Sequence, residues 1–202
     1  MPAGFKYNLT PEVEMEERYD VQTGIRRRGP FVLDTTNIPT GAKLPSFAPM
    51  CADLKHHKVK LVRNFAVAEA YTNGEEALTI KVKKGSFPYV GMLIGNGTKG
   101  ATVTAVDQSN SDYDTLSIQA AFGANLAVGA VLFEASDAGG TTPKNLANSA
   151  LYENYTVSDP AGINNVALLR TAAEIETEKL VIPFSMKDRE NLKGWFQFND
   201  NE

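Results

Sequence analysis

Few residues of this 202-residue chain belong to the types that carry out chemistry, and their spacing limits what they can do. The two histidines, His56 and His57, are adjacent. Neighbours on a strand point to opposite faces, so the pair cannot chelate one metal ion without a bend and reads as a surface pair. Cys51 is the single cysteine, which excludes an internal disulfide. No nucleophile elbow surrounds it, and it reads as a half-buried free thiol. Asp107-Gln-Ser-Asn-Ser-Asp-Tyr-Asp114 offers three carboxylates and an asparagine, oxygen ligands able to wrap a calcium ion. The run lacks the mid-loop glycine and closing glutamate of an EF-hand, and a polar hairpin turn explains it more simply. Asp112 and Asp114 as a hydrolytic pair would need differing environments, which strand neighbours at i and i+2 do not provide. Gly95-Asn-Gly-Thr-Lys-Gly100 has the glycines and lysine of a phosphate cradle, but no helix follows to supply the anion-binding dipole. Arg26-Arg-Arg28 remains, a basic triplet without interleaved aromatics that suits a protein-facing patch better than nucleic acid. No catalytic set, metal site or cofactor site emerges, which favours a structural or interaction protein over an enzyme.

The charge is unevenly placed. Residues 1–65 carry ten Lys/Arg against seven Asp/Glu, whereas residues 66–202 carry ten against seventeen. The N-terminal third is therefore the part suited to an acidic partner surface. No window approaches the ~18 apolar residues that span a bilayer, and residues 1–10 lack the layout of a signal peptide, so a soluble protein made inside a cell is expected, with no membrane partner.

The elements that must position these groups read as mainly β. Between Glu76 and Ala135, Leu78, Ile80 and Val82 alternate with polar residues, the period of a half-buried strand. Tyr89 to Ile94 follows, and Gly95-Asn-Gly97 suits a tight hairpin. Residues 101–107, 114–120 and 126–133 complete a series of five strands. Val90-Gly-Met-Leu-Ile94 and Val128-Gly-Ala-Val-Leu132 share the pattern Val-Gly-x-apolar-apolar, with a glycine that bends the chain before a core strand. The stretch reads as a small, strongly bent antiparallel barrel or sandwich over residues 51–136. A strand from Lys58 to Val67 should pair with the one at 77–83 across Asn73-Gly74.

Residues 1–50 read as an extended N-terminal arm. Thr10 could cap a short helix reaching Glu17. Prolines then recur from Pro30 through Pro39 and Pro45 to Pro49, which excludes regular helix. Phe31, Leu33, Ile38, Leu44 and Phe47 punctuate that run. A chain so shaped is expected to lay them on another surface, which makes these residues, Pro39, Pro45 and Arg26 to Arg28 the expected partner contacts. Asp137 to Lys144 reads as a flexible break, and Asn145 to Asn154 as a turn or two of helix. Residues 145–202 read as a C-terminal β unit: strands at 165–173, 180–183 and 195–199, and a short helix capped by Ser185 and stopped by Gly194. Trp195 is expected in its core, with the C-terminus tied into a sheet.

Several of these stretches together resemble a known family. Asn37-Ile-Pro-Thr-Gly-Ala-Lys-Leu-Pro45, Val82-Lys-Lys-Gly-Ser86, Tyr89 to Ile94, Ala101 to Asp107, Asp112-Tyr-Asp-Thr-Leu116 and Ala127 to Glu134 look like the head-fiber and capsid-decoration proteins of tailed bacteriophages, especially those of gut Bacteroidetes hosts. The resemblance implies a β-rich virion component that binds the major capsid protein of the shell, often as a homotrimer, and stabilises the head or aids adhesion. The chain has no heptad run, so a compact knob or cement protein is expected and not a long shaft. The rival expectation is a carbohydrate-binding adhesin module in which Trp195, Tyr152 and Tyr155 stack on sugars.

Overall fold

The computed structural model describes residues 18–158 and 163–199; the helix expected before Glu17 lies outside them. Sixteen strands and one α-helix form among the described residues, in the mainly β architecture the sequence announces. β1 (Asp20–Arg26), β2 (Phe31–Asp34), β3 (Lys43–Leu44), β4 (Pro49–Asp53) and β5 (Lys58–Leu61) come first. β6 (Asn64–Ala66), β7 (Thr79–Lys83), β8 (Leu93–Gly95), β9 (Gly100–Asp107), β10 (Tyr113–Ile118) and β11 (Val131–Glu134) follow. The chain ends with β12 (Ser149–Leu151), β13 (Tyr155–Thr156), β14 (Asn165–Val166), β15 (Leu168–Glu176), α1 (Met186–Leu192) and β16 (Phe196–Asn199).

β6 to β11 make one six-stranded sheet in the order β6-β11-β8-β9-β10-β7. It curls until Val67 bridges Val82 between its two edges. This is the bent barrel-like unit expected, although it begins at Asn64. Contrary to expectation, β5 does not pair with β7; it lies between β4 and β2 in the other sheet. The chain meets β7 only at the end of the expected strand, where Val67 bridges Val82 and Ala68 N donates to Lys81 O at 2.8 Å. That second sheet runs β1-β15-β12-β4-β5-β2-β14, with β16 alongside β15, so the curled unit is an insertion between β5 and β12. Most pairs are antiparallel, but β2 with β5 and β15 with β16 are parallel.

The extended backbone expected of residues 20–50 is present, as strands. The shelter expected from another molecule is supplied by the chain itself. Phe31, Leu33, Ile38 and Leu44 pack in one core cluster with Met50, Leu61 and Leu168, and Phe47 packs in another with Phe184 and Phe196. All five are at most 4% exposed. Their spacing through a proline-rich run hides the periodicity because the run is built from two short strands and two turns, each contributing one or two side chains inward.

One of those turns explains more of the fold. Tyr89 to Met92 and Ala127 to Ala130 are the turns with glycine third, at φ 87° for Gly91 and 81° for Gly129, values an L side chain resists. The Gly91 N–H donates to Val103 O and the Val103 N–H donates back to Met92 O, each at 2.8 Å. Gly129 and Val67 repeat this, with Ala130 O accepting from Val67 at 2.9 Å. Pro39-Thr-Gly-Ala42 is a third copy: Gly41 has φ 81°, donates to Val157 O, and Ala42 O accepts from Val157 N–H, both at 2.8 Å. Each turn launches a strand whose Leu44, Ile94 or Leu132 is fully buried.

The two sheets meet at a polar seam. Glu134, 4% exposed, accepts from Lys144 at 2.7 Å and Tyr89 at 2.6 Å and faces Arg63 at 3.4 Å. Arg63 also donates to Thr36 O at 2.7 Å. Burial works to raise the Glu134 carboxyl, yet Lys144, Tyr89 and Arg63 together hold it below the ordinary glutamate range. Residues 137–144 are not the flexible break expected: Asp137 accepts from Thr142 N at 3.0 Å, and Gly140 packs into the β8–β9 hairpin. The helix forms as its sequence dictates, with Ser185 and Asp188 making a reciprocal capping box and Gly194 at φ 88° beyond its end. Residues 149–151 are strand where helix was expected, and 180–183 form no strand.

Candidate functional site

The structure disperses most of the groups capable of chemistry. His56 Nδ1 lies 2.6 Å from Asp53, while His57 turns away at φ 51° to pack 5.1 Å from the Phe31 ring. Burial pushes the Cys51 thiol up, which makes it a poor nucleophile. In the 107–114 run, Asp107 caps Ser109 N, Asp112 accepts from Ser111, and Asp114 is buried against Lys84 at 2.7 Å. Three carboxylates with three different partners do not converge on an ion. Among the described residues no group of three or more His, Cys, Asp or Glu could hold a metal.

One face does gather functional side chains. β1 carries Arg26, and the chain leaving it carries Arg27 and Arg28; β15 runs beside β1, with Arg26 opposite Leu169, and so brings Arg170 to the same place. Lys193 and Gly194 then turn Trp195 across it. The result is a groove of about 680 Å³ lined by these four arginines, His57, Ile25, Leu54 and Trp195, with no carboxylate among the described residues of its wall. Arg170 lies 4.6 Å from the Trp195 ring centre, and Arg26 lies 4.9 Å from that of Tyr152. Arg27 donates to Ser149 Oγ at 2.6 Å and Asn148 O at 2.7 Å. Burial, and after it the neighbouring Arg170 charge, lower the Arg27 guanidinium from its ordinary value. Among the described residues no carboxylate pairs with Arg26, Arg28 or Arg170.

Of the expected contact residues, then, Arg26 and Arg28 are exposed in this groove, Arg27 is half-buried in its wall, and Phe31 closes its floor from the core. Leu33, Ile38, Leu44 and Phe47 are interior, Pro45 is half-buried and Pro39 is exposed elsewhere. Trp195 is 49% exposed, not core. Arg170 escaped the sequence reading, and Trp195 was placed in the core or on a sugar but not beside arginines, because nothing local ties either to the basic triplet. The β1–β15 pairing, some 145 residues apart, brings Arg170 there, and Trp195 follows beside β15.

The family model for head fiber proteins matches residues 2–197. The chain belongs to the phage head fiber protein family. It is therefore a structural component of a phage virion, as the resemblance in residues 37–134 implies. Among curated proteins and solved structures no match is found. In this head fiber protein the rings proposed for sugar stacking do not form a common platform. Tyr155 packs against the first core cluster and donates to Asn164 at 3.0 Å, while Tyr152 and Trp195 each carry a guanidinium on one face.

Proposed function

We propose that this head fiber protein attaches to the outer surface of the capsid shell through its cationic groove, with the major capsid protein as partner, and that it decorates and stabilises the head. The observation that carries the reading is the segregation of four guanidiniums, without a carboxylate among the described residues lining the groove, on one face of a chain whose net charge is −4. Such segregation steers a protein onto an acidic surface in one orientation and suppresses contact with basic ones. The interior position of Phe31, Leu33, Ile38, Leu44 and Phe47 moves the expected contact away from apolar side chains and onto Arg26, Arg28 and Arg170.

Co-sedimentation with purified shells tests it. Wild type should pellet with shells, and the double variant Arg26→Glu, Arg28→Glu should stay in the supernatant; a variant that pellets like wild type overturns the proposal. The trimer implied by the family resemblance is measured on the same preparation by size-exclusion chromatography with light scattering.

A further inference from the structure

The groove offers more than positive charge. Three of its guanidiniums are held on firm supports: Arg170 on Trp195, Arg26 on Tyr152, and Arg27 between Ser149 and Asn148. Pre-placed guanidinium forks lose little freedom on meeting an oxyanion, and each matches a carboxylate with two parallel hydrogen bonds. Beside them Ile25 and Leu54 are 58% and 50% exposed, an apolar pair in the wall of a charged groove. A ligand that satisfies the whole site must bring anionic oxygens and aliphatic surface together.

Nucleic acid meets only half of this demand. Its phosphates suit arginine, but its bases bind by stacking on open ring faces, and here Trp195 and Tyr152 each have a face covered by a guanidinium. Ile25 and Leu54 offer no stacking plane, and the chain's net charge of −4 repels a polyanion at a distance. An extended peptide meets both halves, since successive side chains can present carboxylates and aliphatic groups to opposite walls of one groove. We infer that the groove binds an extended acidic peptide segment of a partner protein, one in which Asp or Glu alternates with aliphatic residues. The inference rests on the groove being the attachment site and adds the chemistry of what it grips.

Trp195 is the chain's sole tryptophan, so its emission reports on this groove alone. The full chain is titrated with a synthetic peptide alternating Asp and Leu, with the same peptide carrying Asn for Asp, and with a thymidine oligonucleotide of equal length. The Asp peptide should change the emission saturably, with an affinity that falls at least tenfold between low and physiological salt and at least tenfold in Arg28→Ala, read by anisotropy of a labelled peptide. Circular dichroism of Arg28→Ala checks that the variant is folded. Equal binding of the Asn peptide, tighter binding of the oligonucleotide, or no saturable signal overturns the inference. The shell assay separates the two readings. Shells lost on Arg26→Glu, Arg28→Glu without peptide binding overturn the peptide chemistry and leave attachment standing. Peptide binding without shell binding supports the peptide chemistry and removes the attachment reading.

Discussion

Asn64 Nδ2 donates to Asp188 Oδ2 at 2.7 Å, and neither side chain is exposed at all. Asn64 is the first residue of the inserted sheet, and Asp188 lies in the helix that packs on the large one. The same carboxylate accepts from Ser185 N and Oγ at 3.0 and 2.6 Å, and through Oδ1 from Ala147 N at 2.8 Å. One buried side chain thus fastens the helix cap, the return of the chain into β12 and the start of the inserted unit.

Removing it strands four donors. Asp188→Ala should cost roughly 3–5 kcal/mol, the range for breaking a buried charged network from one side. Asn64→Ala should cost less, because Asn64 Oδ1 already lacks a partner among the described residues and only the two Nδ2 bonds, to Asp188 Oδ2 and Pro183 O, are lost. Urea denaturation at neutral pH measures both; a loss below 1 kcal/mol for Asp188→Ala contradicts the assignment.

Glycine substitutions should separate two demands. A Cβ on Gly95 would stand 2.3 Å from Gly140 O, and one on Gly140 would stand 2.3 Å from Lys99 O, so backbone must move in either case. Gly91 has open space and only its φ of 87° to resist a side chain. Gly91→Ala should cost about 1 kcal/mol, the scale of left-handed strain, and Gly95→Ala or Gly140→Ala clearly more. Thermal unfolding of the three variants side by side shows the order.

The seam predicts an acid limb in the stability profile. The folded Glu134 carboxyl sits below its ordinary 4.5, so its stabilisation is complete above that value and is lost as pH falls through the folded one. Wild type should therefore lose stability below about pH 4.5, whereas Glu134→Gln should be weaker at pH 7 and lose less on acidification. Urea midpoints at pH 7, 4 and 3 check the sign.

The self-covered leader makes a further prediction. Deleting residues 1–48 removes β1, β2 and β3 and uncovers Met50, Leu61 and Leu168, so the truncated chain should be insoluble or molten by dye binding. Phe47→Ala should cost ~3–5 kcal/mol, as expected for a large core aromatic. A soluble, cooperatively folding truncation would show that the leader is dispensable.

Much of this was legible in the residues. Alternation at Ile80 and Val82, the hairpin at Asn96-Gly97 and the helix bounded by Ser185 and Gly194 are local signals, and each formed where it was read. The Val-Gly turn was readable at Val90 and Val128 because both precede an unbroken apolar run. Its third copy was hidden at Thr40-Gly41, where flanking prolines argued for an arm and where the partner strand, at Val157, lies more than a hundred residues on. The groove was half legible: Arg26 to Arg28 declare themselves as a triplet, but their supports Tyr152 and Ser149, and Arg170 with its own support Trp195, are distant in the chain and only long-range pairing brings them near. Burial of Phe31 and Leu33 was illegible for the same reason, since β2 is flanked by β5 in parallel and by β14 from the far end of the chain.

Phe133, near the end of the curled unit, stands directly opposite Asn64, its first residue, across one rung of the β6–β11 ladder. The segment between them leaves the large sheet and comes home to nearly the same spot. It is a cassette: whatever stands in that interval needs two ends a strand's breadth apart and partners for the seam at Glu134 and for Asp188. The large sheet closes its own strand pairings without the inserted piece, so that piece can be exchanged as a unit.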